Sequence, residues 1–506
     1  MVAPYDVAAM SVIHTRVRND EIQSGGNRFA RALDRAGVDS RGKVAALLPN
    51  VVEFLWAYRG CAWSGRRFTP MSWRWSVDEA SYVVENCEAD VVIAHARFAE
   101  TAQAAAAALP EERRVAVGGP IEGFRSYEDF VAGCSADELD HQLAGDTMLY
   151  TSGTTGRPKG VLRPMADDAP PPSRVGRGGM MMLQTYLGGE PDRVHLVAAP
   201  LYHSGPVSYC EGASLLGADV VLMDGWDASE FLRLVELHGV TSTFVVPIHF
   251  VRLLKLDAAT RDRYDLSSLR LVVHGAAPTA VEVKRKMIEW LGPILFEFYG
   301  GTEGGGISIS SAEWLRKPGS VGRPYNPAVQ IHILDDDGTP CLPGVEGAVY
   351  FRQPDAVTYK DDPEKTRDAH RGDLLTLGDI GYLDDDGYLF LCDRRADVIV
   401  SGGVNVYPAQ IESVLLGHPS IVDCCVVGIP DDEWGEAVCA VIQLAPGADF
   451  DEATHDDLRR WSRDRLAGYQ LPRRFVALSE LPRTETGKMA RRAVRESFWS
   501  HQSRRI

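Results

Sequence analysis

Residues 150–161 read YTSGTTGRPKGV and follow the apolar pair Met148-Leu149, a pattern typical of a strand that runs into a loop. The loop is rich in glycine, serine and threonine and ends at Lys159. Glycines allow the backbone to approach a ligand and to turn its N–H groups inward, while hydroxyls add donors and lysine adds charge. The stretch therefore suits a polyphosphate.

This loop is not a Walker A motif, because Lys159 is followed by Gly160 and preceded by Arg157-Pro158. Taken alone, the stretch also leaves two other interpretations open. It could be a flexible linker, or the serine loop of an amidase with Ser152 as nucleophile.

The composition is that of a globular protein with more than one domain. The chain has 506 residues, of which 45% are hydrophobic and 24% are charged. Its net charge of −17 argues against nucleic acid or an anionic membrane as the main partner. The nine cysteines form no C-x-x-C pair, which predicts reduced thiols in a cytoplasmic protein. We expect neither a signal peptide nor a membrane-spanning segment.

Short apolar runs alternate with helical patterns over the first 390 residues, as in Val44–Leu48 followed by Val51–Ala62. Such alternation predicts an α/β fold with largely buried sheets. Residues 167–179 are rich in proline and glycine and are expected to form a loop.

The pattern changes near residue 330, where Gln330–Leu334 and Gly347–Phe351 alternate like strands of a small β unit. Two Leu-Asp-Asp-Asp-Gly stretches, at 334–338 and 383–387, lack the ligand spacing of calcium loops and predict hairpin turns. After Asp393 the pattern predicts a small α+β unit.

Five further motifs follow the loop in order. They are FYGGTE at 298–303, Gly378-Asp379, Asp393-Arg394, SGGVNVYP at 401–408 and PRTETGK at 482–488. Each is weak alone, since Tyr299 could be core, Asp379 a turn residue and Lys488 a solvated charge. As an ordered set they resemble the adenylate-forming superfamily of acyl-CoA synthetases, peptide synthetase adenylation domains and beetle luciferases. The resemblance covers roughly residues 25 to 495.

The resemblance implies a two-step reaction. A carboxylate attacks the α-phosphorus of ATP to give an acyl adenylate and pyrophosphate, and a thiol then releases AMP. It also implies a large N-terminal domain (1–393) of layered α/β sheets plus a β subdomain, which binds ATP and the acyl group. A hinge (394–397) and a small mobile α+β C-terminal domain (398–506) follow.

The resemblance also implies the ATP site. The pyrophosphate cradle would consist of Thr151, Ser152, Gly153, Thr154, Thr155, Gly156 and Lys159. Mg²⁺ would be held by Glu303 with the Thr151 hydroxyl, and Thr302 would contact the α-phosphate. The adenine would lie between Tyr299-Gly300 and the small-residue wall of Gly275, Ala276 and Ala277, with Asp379 and Arg394 at the ribose.

For catalysis the resemblance points to Lys488, whose cation would bridge the carboxylate and the α-phosphate. The second step is attributed in the family to rotation of the C-terminal domain, which presents the Gly402-Gly403 face to the thiol. Relatives carry lysine or aspartate at the hinge position that is Ala396 here. This departure leaves the chemistry intact but puts the rate of rotation in doubt.

Three features bear on the acid. Acetyl-CoA synthetases close the acyl pocket with a tryptophan where this chain has Gly300, so Gly300 predicts a deeper pocket, and Gly301 is expected at the acyl or CoA site. The glycines at 304–306 favour an open wall or serve only a turn. His203 matches a gate near the acyl and thiol entry in relatives. No acidic residue lies in 201–205, which disfavours an amino acid as substrate. We therefore expect a medium-chain, long-chain or bulky ring-bearing acid, with a role in fatty acid and lipid metabolism.

Coenzyme A is the expected thiol, because no carrier-protein segment follows Lys488; a discrete acyl carrier protein is the alternative. An amidase using Ser152 would leave Tyr299–Glu303 and Lys488 unexplained. A catalytically silent binding protein is disfavoured by the intact set of Glu303, Asp379, Arg394 and Lys488, and no residue argues for a luciferase-like oxidation. A homodimer stays open, since no interface signature is visible.

Overall fold

The structure is a computed structural model, and it describes residues 13–151, 157–165, 168–189, 193–353, 357–445, 447–483 and 489–499. The strands in these ranges are β1 Ile13–Val17, β2 Lys43–Leu47, β3 Arg67–Pro70, β4 Val91–His95, β5 Arg114–Val117, β6 Arg125–Ser126, β7 Asp146–Thr147, β8 Leu149–Thr151, β9 Lys159–Leu162, β10 Val194–Val197, β11 Asp219–Asp224, β12 Ser242–Val245, β13 Leu271–Gly275, β14 Leu295–Gly300, β15 Gly305–Ser310, β16 Ser320–Pro324, β17 Gln330–Leu334, β18 Gly347–Arg352, β19 Thr358–Tyr359, β20 His370–Arg371, β21 Leu374–Leu383, β22 Leu389–Arg394, β23 Ile399–Ser401, β24 Val404–Val406, β25 Ile421–Asp431, β26 Gly435–Leu444 and β27 Arg474–Ala477.

The α-helices in the same ranges are α1 Asn19–Arg35, α2 Val52–Trp63, α3 Val77–Asn86, α4 Ala99–Ala105, α5 Tyr127–Val131, α6 Arg174–Tyr186, α7 Ser204–Leu215, α8 Ala228–His238, α9 Pro247–Leu254, α10 Ala258–Arg261, α11 Val281–Leu291, α12 Ser311–Arg316, α13 Pro363–Asp368, α14 Pro408–Leu415, α15 Glu452–Arg463 and α16 Arg491–Trp499. None of them combines the length and the apolar character that a membrane crossing requires. The mixed strands and helices confirm the predicted α/β class.

The chain divides into two compact units. Unit 1 comprises Met1–Val245, Leu256–Val273 and Asp355–Thr366, and unit 2 comprises Val246–Lys255, His274–Pro354 and Arg367–Ile506. Unit 1 contains a six-stranded sheet in the order β6-β5-β4-β2-β3-β7, all of whose pairs are parallel. Its central strands β2, β4 and β5 are buried on both faces, as helices packed on a parallel sheet require.

Unit 1 also holds the strand run β1-β11-β10-β12 and the three-stranded sheet β19-β9-β8. In the second sheet, β8 and β9 form a hairpin and β19 adds antiparallel to β9. The segment that carries β19, Asp355–Thr366, belongs to unit 1. It pairs there with β9, the strand that follows the Gly/Ser/Thr loop.

The expected loop at 167–179 is partly wrong, because α6 begins at Arg174. A Cβ on Gly179 would lie 1.9 Å from the carbonyl oxygen of Ser208 on α7, and one on Gly212 would lie 2.4 Å from the Gly179 carbonyl carbon. The glycines thus let two helices approach more closely than side chains would permit. Glycine-rich composition predicts a loop, but here the glycines lie at the contact between two helices.

In unit 2, the strand run β14-β15-β16-β22-β21-β18-β17 is antiparallel throughout, with β20 on β21. The second sheet has the order β24-β23-β26-β25, with β27 on β26. The predicted strands Gln330–Leu334 and Gly347–Phe351 are therefore confirmed as β17 and β18. The 383–387 stretch forms the turn of the β21–β22 hairpin. Two carboxylates of this turn, Asp384 and Asp386, form ion pairs with Lys317, which follows α12.

Candidate active site

The hairpin of β8 and β9 presents the ends of the predicted phosphate loop. Thr151 and Lys159 are Cα partners in its register, so the two ends of the loop lie side by side. Ser152, Gly153, Thr154, Thr155 and Gly156 lie outside the described residues. Of the predicted cradle, the structure therefore describes Thr151 and Lys159 and brings them together.

Lys159 has a partner that the sequence patterns did not reveal. Its ammonium forms an ion pair with Asp362, 203 residues away, and the lysine lowers the pKa of that carboxyl. Asp362 also accepts the backbone N–H of Lys365 at 2.8 Å, so it caps the start of α13. Asp362 follows β19 by three residues, and β19 is hydrogen-bonded to β9, the strand that begins at Lys159. The partner of the lysine is therefore held by strand pairing.

The same segment is attached to unit 1 by further polar contacts. Lys360 pairs with Glu88 at 2.7 Å, and Asp361 accepts from the Asn86 amide at 3.0 Å. Hydrogen bonds from Lys360 and from Lys43 lower the pKa of Glu88 to about 2. The Tyr150 hydroxyl, which adjoins Thr151, donates to the same Asn86 at 2.6 Å. Asn86 thus links Tyr150 on β8 to the segment that carries β19, which pairs with β9.

His203, the predicted gate, is the residue before α7, and its ring centroid lies 4.2 Å from that of Tyr202. Its extended backbone places it at the N-cap of α7, where it makes no side-chain cap. The position before a helix at the end of a short loop is consistent with a gate, and this role stays a prediction.

The predicted adenine wall follows β13. A Cβ on Gly275 would lie 2.3 Å from the carbonyl oxygen of Phe298 on β14, so only glycine allows these backbones to approach. Ala276 has a φ of 70°, a left-handed conformation that costs a non-glycine residue roughly 1 kcal/mol or more. Such local strain clusters at binding sites. The wall is therefore a constrained backbone turn.

Tyr299, Asp379 and Arg394 are brought together by three strands. The Tyr299 hydroxyl donates to Asp379 Oδ2 at 2.6 Å, and Arg394 Nε lies 3.6 Å from Asp379 Oδ1. Asp379 and Arg394 are Cα partners across β21 and β22. Burial and the nearby Asp379 carboxylate raise the pKa of Tyr299 well above its usual value, so the phenol stays protonated. The cluster presents a ring, a carboxylate and a guanidinium.

Thr302 and Glu303 lie in the tight turn between β14 and β15. The turn is closed by two backbone hydrogen bonds between Gly301 and Gly304, at 2.7 and 3.2 Å. A Cβ on Gly301 would lie 2.9 Å from Glu303 Oε2, so this glycine leaves room for the carboxylate. A Cβ on Gly300 would contact backbone at 3.0 Å, and nothing projects from that position.

Gln353 is a supporting residue that no sequence pattern indicated. Its amide Nε2 donates to the carbonyl oxygen of Glu303 at 3.1 Å, and its Oε1 accepts from the backbone of Gly305 at 3.2 Å. The side chain thus bridges both sides of the turn. Because it follows β18, some fifty residues further along the chain, only the sheet topology reveals the contact.

The predicted hinge is a turn in which the Asp397 N–H donates to the Arg394 carbonyl at 2.9 Å. Arg491 lies 3.5 Å from Asp397, and it forms a two-bonded pair with Glu412 at 2.6 and 3.0 Å. Burial raises the pKa of Asp393, just before the turn, to about 6. The hinge position Ala396 therefore lies beside a half-buried charge cluster.

The predicted thiol-facing glycines lie between β23 and β24. Gly402 and Gly403 have φ values of 58° and 81°, which favour glycine, and a Cβ on Gly402 would lie 2.4 Å from the Trp434 ring. Lys488 lies outside the described residues, which resume at Met489. Within the described ranges, no three His, Cys, Asp or Glu side chains group as a metal site.

Comparison with known proteins identifies the class. The model of the AMP-binding enzyme family matches residues 6–358, and that of the AMP-binding enzyme C-terminal domain matches 410–488. These matches make the protein an enzyme of the adenylate-forming class that ligates acids. The chain belongs to the AMP-binding enzyme family.

The individual relatives are also named as acid ligases. The chain is 30% identical to the fatty acid–[acyl-carrier-protein] ligase ScoC of Streptomyces coeruleorubidus, over 96% of this chain and 92% of that protein. It is 34% identical to the indoleacetate–CoA ligase of Aromatoleum aromaticum, over 93% and 91%. Among solved structures it is similar to the anthranilate CoA ligase AuaEII in complex with anthranoyl-AMP, with a TM-score of 0.83, 26% identity, and coverage of 94% and 91%.

Proposed function

We propose that this enzyme is an ATP-dependent acid–CoA ligase for a medium-chain, long-chain or bulky ring-bearing carboxylic acid. The observation that carries the proposal is the cluster of Tyr299, Asp379 and Arg394 beside the Glu303 turn. A flat ring, an acceptor-only carboxylate and a cation within 3.6 Å of it match the parts of a nucleotide. We propose that the ring stacks on adenine and that Asp379 accepts the ribose hydroxyls.

The phosphates would be held by the β8–β9 hairpin. Lys159 supplies the cation, and the Thr151 hydroxyl supplies a donor; Ser152–Gly156 complete the cradle in this proposal. Glu303 suits Mg²⁺, because that ion is commonly bound by one or two carboxylates together with substrate phosphates and water. The room that Gly301 leaves beside the Glu303 carboxylate fits this role. When bound, Mg²⁺ would neutralise charge on the phosphates.

In the first step, Lys488 would place its ammonium between the acid's carboxylate and the α-phosphate, with Thr302 as a further donor. The carboxylate oxygen forms a bond to the α-phosphorus while the bond to the bridging oxygen of pyrophosphate breaks. In the second step, we propose that residues 398–506 rotate on 394–397 relative to 1–393. The Gly402-Gly403 turn would then face the thiol, whose sulfur attacks the acyl carbon and releases AMP.

The size of the acid is inferred from Gly300. A Cβ at this position would lie 3.0–3.1 Å from backbone atoms of Gly304 and Gly306 and from the Phe298 ring, so local packing also favours glycine here. The larger pocket is proposed from the absence of a tryptophan side chain at this position. The two relatives named for aromatic acids, indoleacetate and anthranilate, favour a pocket that accepts a ring. Acetate is therefore expected to be a poor substrate.

Coenzyme A is proposed as the thiol because the indoleacetate and anthranilate relatives are named as CoA ligases. The alternative is a discrete acyl carrier protein, which is favoured by the similarity to ScoC. All nine cysteines are free, and seven of them are buried, which supports a reducing compartment such as the cytoplasm.

The test is AMP release from ATP by a panel of acids from C2 to C20, together with aromatic acids. Each acid is assayed without thiol, with CoA, and with a phosphopantetheinylated carrier protein. We expect AMP turnover with CoA and a maximum at a medium-chain, long-chain or aromatic acid. A maximum at acetate would refute the Gly300 argument, and turnover only with the carrier protein would establish the alternative.

A further inference from the structure

The hydroxyl of Tyr299 has no part in stacking, since a phenyl ring would stack on a base equally well. A hydroxyl removed in part from water costs free energy unless it is hydrogen-bonded, and Tyr299 is half-buried. Here its single proton is directed at Asp379 Oδ2, at 2.6 Å, from a strand 80 residues away in the chain. The phenol therefore contacts the group that would hold the sugar.

The Tyr299 hydroxyl fixes one oxygen of the Asp379 carboxylate. The terminal torsion of an aspartate is broad, so the backbone alone does not fix the plane of its carboxylate. The backbone beside it is also irregular: Gly378 has a φ of 83°, and the β21–β22 register shifts between Ile380 and Gly381. Arg394 is a loose anchor, because its side chain is 59% exposed and its Nε lies 3.6 Å away.

Tyr299 is positioned by a neighbouring ring and by strand pairing. Its ring lies 6.1 Å from that of Phe351, and it pairs with Ile307 across β14 and β15, just before the register shifts at Gly300. A donor 2.6 Å from one carboxylate oxygen favours the orientations of the Asp379 carboxylate that keep this bond. Burial and the Asp379 charge raise the pKa of Tyr299, so the donor proton is present throughout the working pH range.

We propose that the Tyr299 hydroxyl is a positioning group that orients the Asp379 carboxylate toward the ribose, and that it thereby makes the enzyme prefer ATP over 2′-deoxy-ATP. The inference rests on the proposed function, since it requires a nucleoside at this cluster. It adds a task for the hydroxyl that is separate from the stacking task of the ring.

The experiment compares the wild type with Tyr299→Phe in acid-dependent pyrophosphate release, using ATP and 2′-deoxy-ATP with the best acid of the panel. We expect kcat/KM for ATP to fall about tenfold, as the loss of one hydrogen bond to a charged group implies, mainly through KM. For 2′-deoxy-ATP, which already lacks one hydroxyl, the fall should be less than about threefold. The preference for ATP therefore shrinks.

Two further variants separate positioning from general damage. Phe351→Leu removes a ring contact of Tyr299 but keeps its hydroxyl, so its effect on the two nucleotides should be equal. Asp379→Asn should lose the preference for ATP, and adding Tyr299→Phe to it should cost nothing more for either nucleotide. This non-additivity is the signature of a hydroxyl that acts through Asp379.

Equal falls for ATP and 2′-deoxy-ATP in Tyr299→Phe, or additive effects in the double variant, would overturn the inference while leaving the proposed function intact. A wild-type enzyme that releases no pyrophosphate with any acid would overturn the proposed function and this inference with it.

Discussion

The Gly275→Ala substitution tests whether the turn after β13 is a wall of the nucleotide site. The new Cβ would lie 2.3 Å from the Phe298 carbonyl oxygen, whereas ordinary contact begins at 3.4 Å. The backbones must therefore separate by about 1 Å, because the obstacle is backbone and cannot rotate away. Overpacking of this kind costs about 1–3 kcal/mol. Phe298 directly precedes Tyr299, so the displacement reaches the proposed stacking ring.

If that cost falls on nucleotide binding, KM for ATP rises about 5- to 150-fold, since each 1.4 kcal/mol is a factor of ten. The assay is pyrophosphate release against ATP concentration at a saturating acid concentration. Gly468→Ala is the matched control, because no atom lies within 4 Å of its added Cβ. A Gly275→Ala enzyme whose KM for ATP stays within twofold of the wild type would refute the reasoning.

Three further predictions concern the catalytic lysine and the hinge. Lys488→Ala should reduce acid-dependent pyrophosphate release roughly a thousandfold, the effect of losing a preorganised donor, while sparing thioester formation from supplied acyl adenylate. Ala396→Pro should fix φ at the hinge, so that adenylate still forms but thioester formation fails. Relative to the wild type, the melting temperature of Asp393→Asn should be higher at pH 8 than near pH 4. Burial raises the pKa of Asp393 to about 6 in the folded protein, so the ionised carboxylate destabilises the fold as pH rises from 4 through 6, by up to about 3 kcal/mol.

Each of these outcomes has a clear opposite. Equal loss of both half-reactions in Lys488→Ala would remove that residue from the first step alone. Survival of both half-reactions in Ala396→Pro would move the hinge elsewhere. An Asp393→Asn protein whose melting temperature differs from that of the wild type by the same amount at pH 4 and pH 8 would show that the carboxylate does not titrate as proposed. Asp393 accepts two backbone N–H groups, that of Arg394 at Oδ1 and that of Ala409 at Oδ2, each at 2.8 Å. The single amide oxygen of asparagine replaces only one of these acceptors, so the prediction concerns the change between the two pH values and not the absolute melting temperature.

Local patterns predicted the elements well where local forces shape them. Alternation placed β17 and β18 within a residue of their observed bounds, and the buried run Val44–Leu48 became β2. The failure at α6 has a tertiary cause, since its glycines serve the approach of α7. Helix propensity does not contain that information.

In the site, too, local motifs predicted some residues and tertiary contacts revealed others. The motifs predicted Tyr299, Asp379 and Arg394, and the structure joins them. It also adds partners that no motif indicated, namely Asp362 for Lys159 and Gln353 for the Glu303 turn. These pairs are separated by 203 and 50 residues, so only the order of the strands brings them into contact. Local spacing cannot predict such pairs.

The most direct test of the central claim is isotope exchange between pyrophosphate and ATP in the absence of any thiol. If the enzyme forms an acyl adenylate, labelled pyrophosphate enters ATP when a suitable acid is present, and omission of the acid abolishes the exchange. Adding the correct thiol should then convert ATP to AMP in step with thioester formation. Exchange that is independent of the acid, or acid-dependent formation of ADP instead of AMP, would contradict the account.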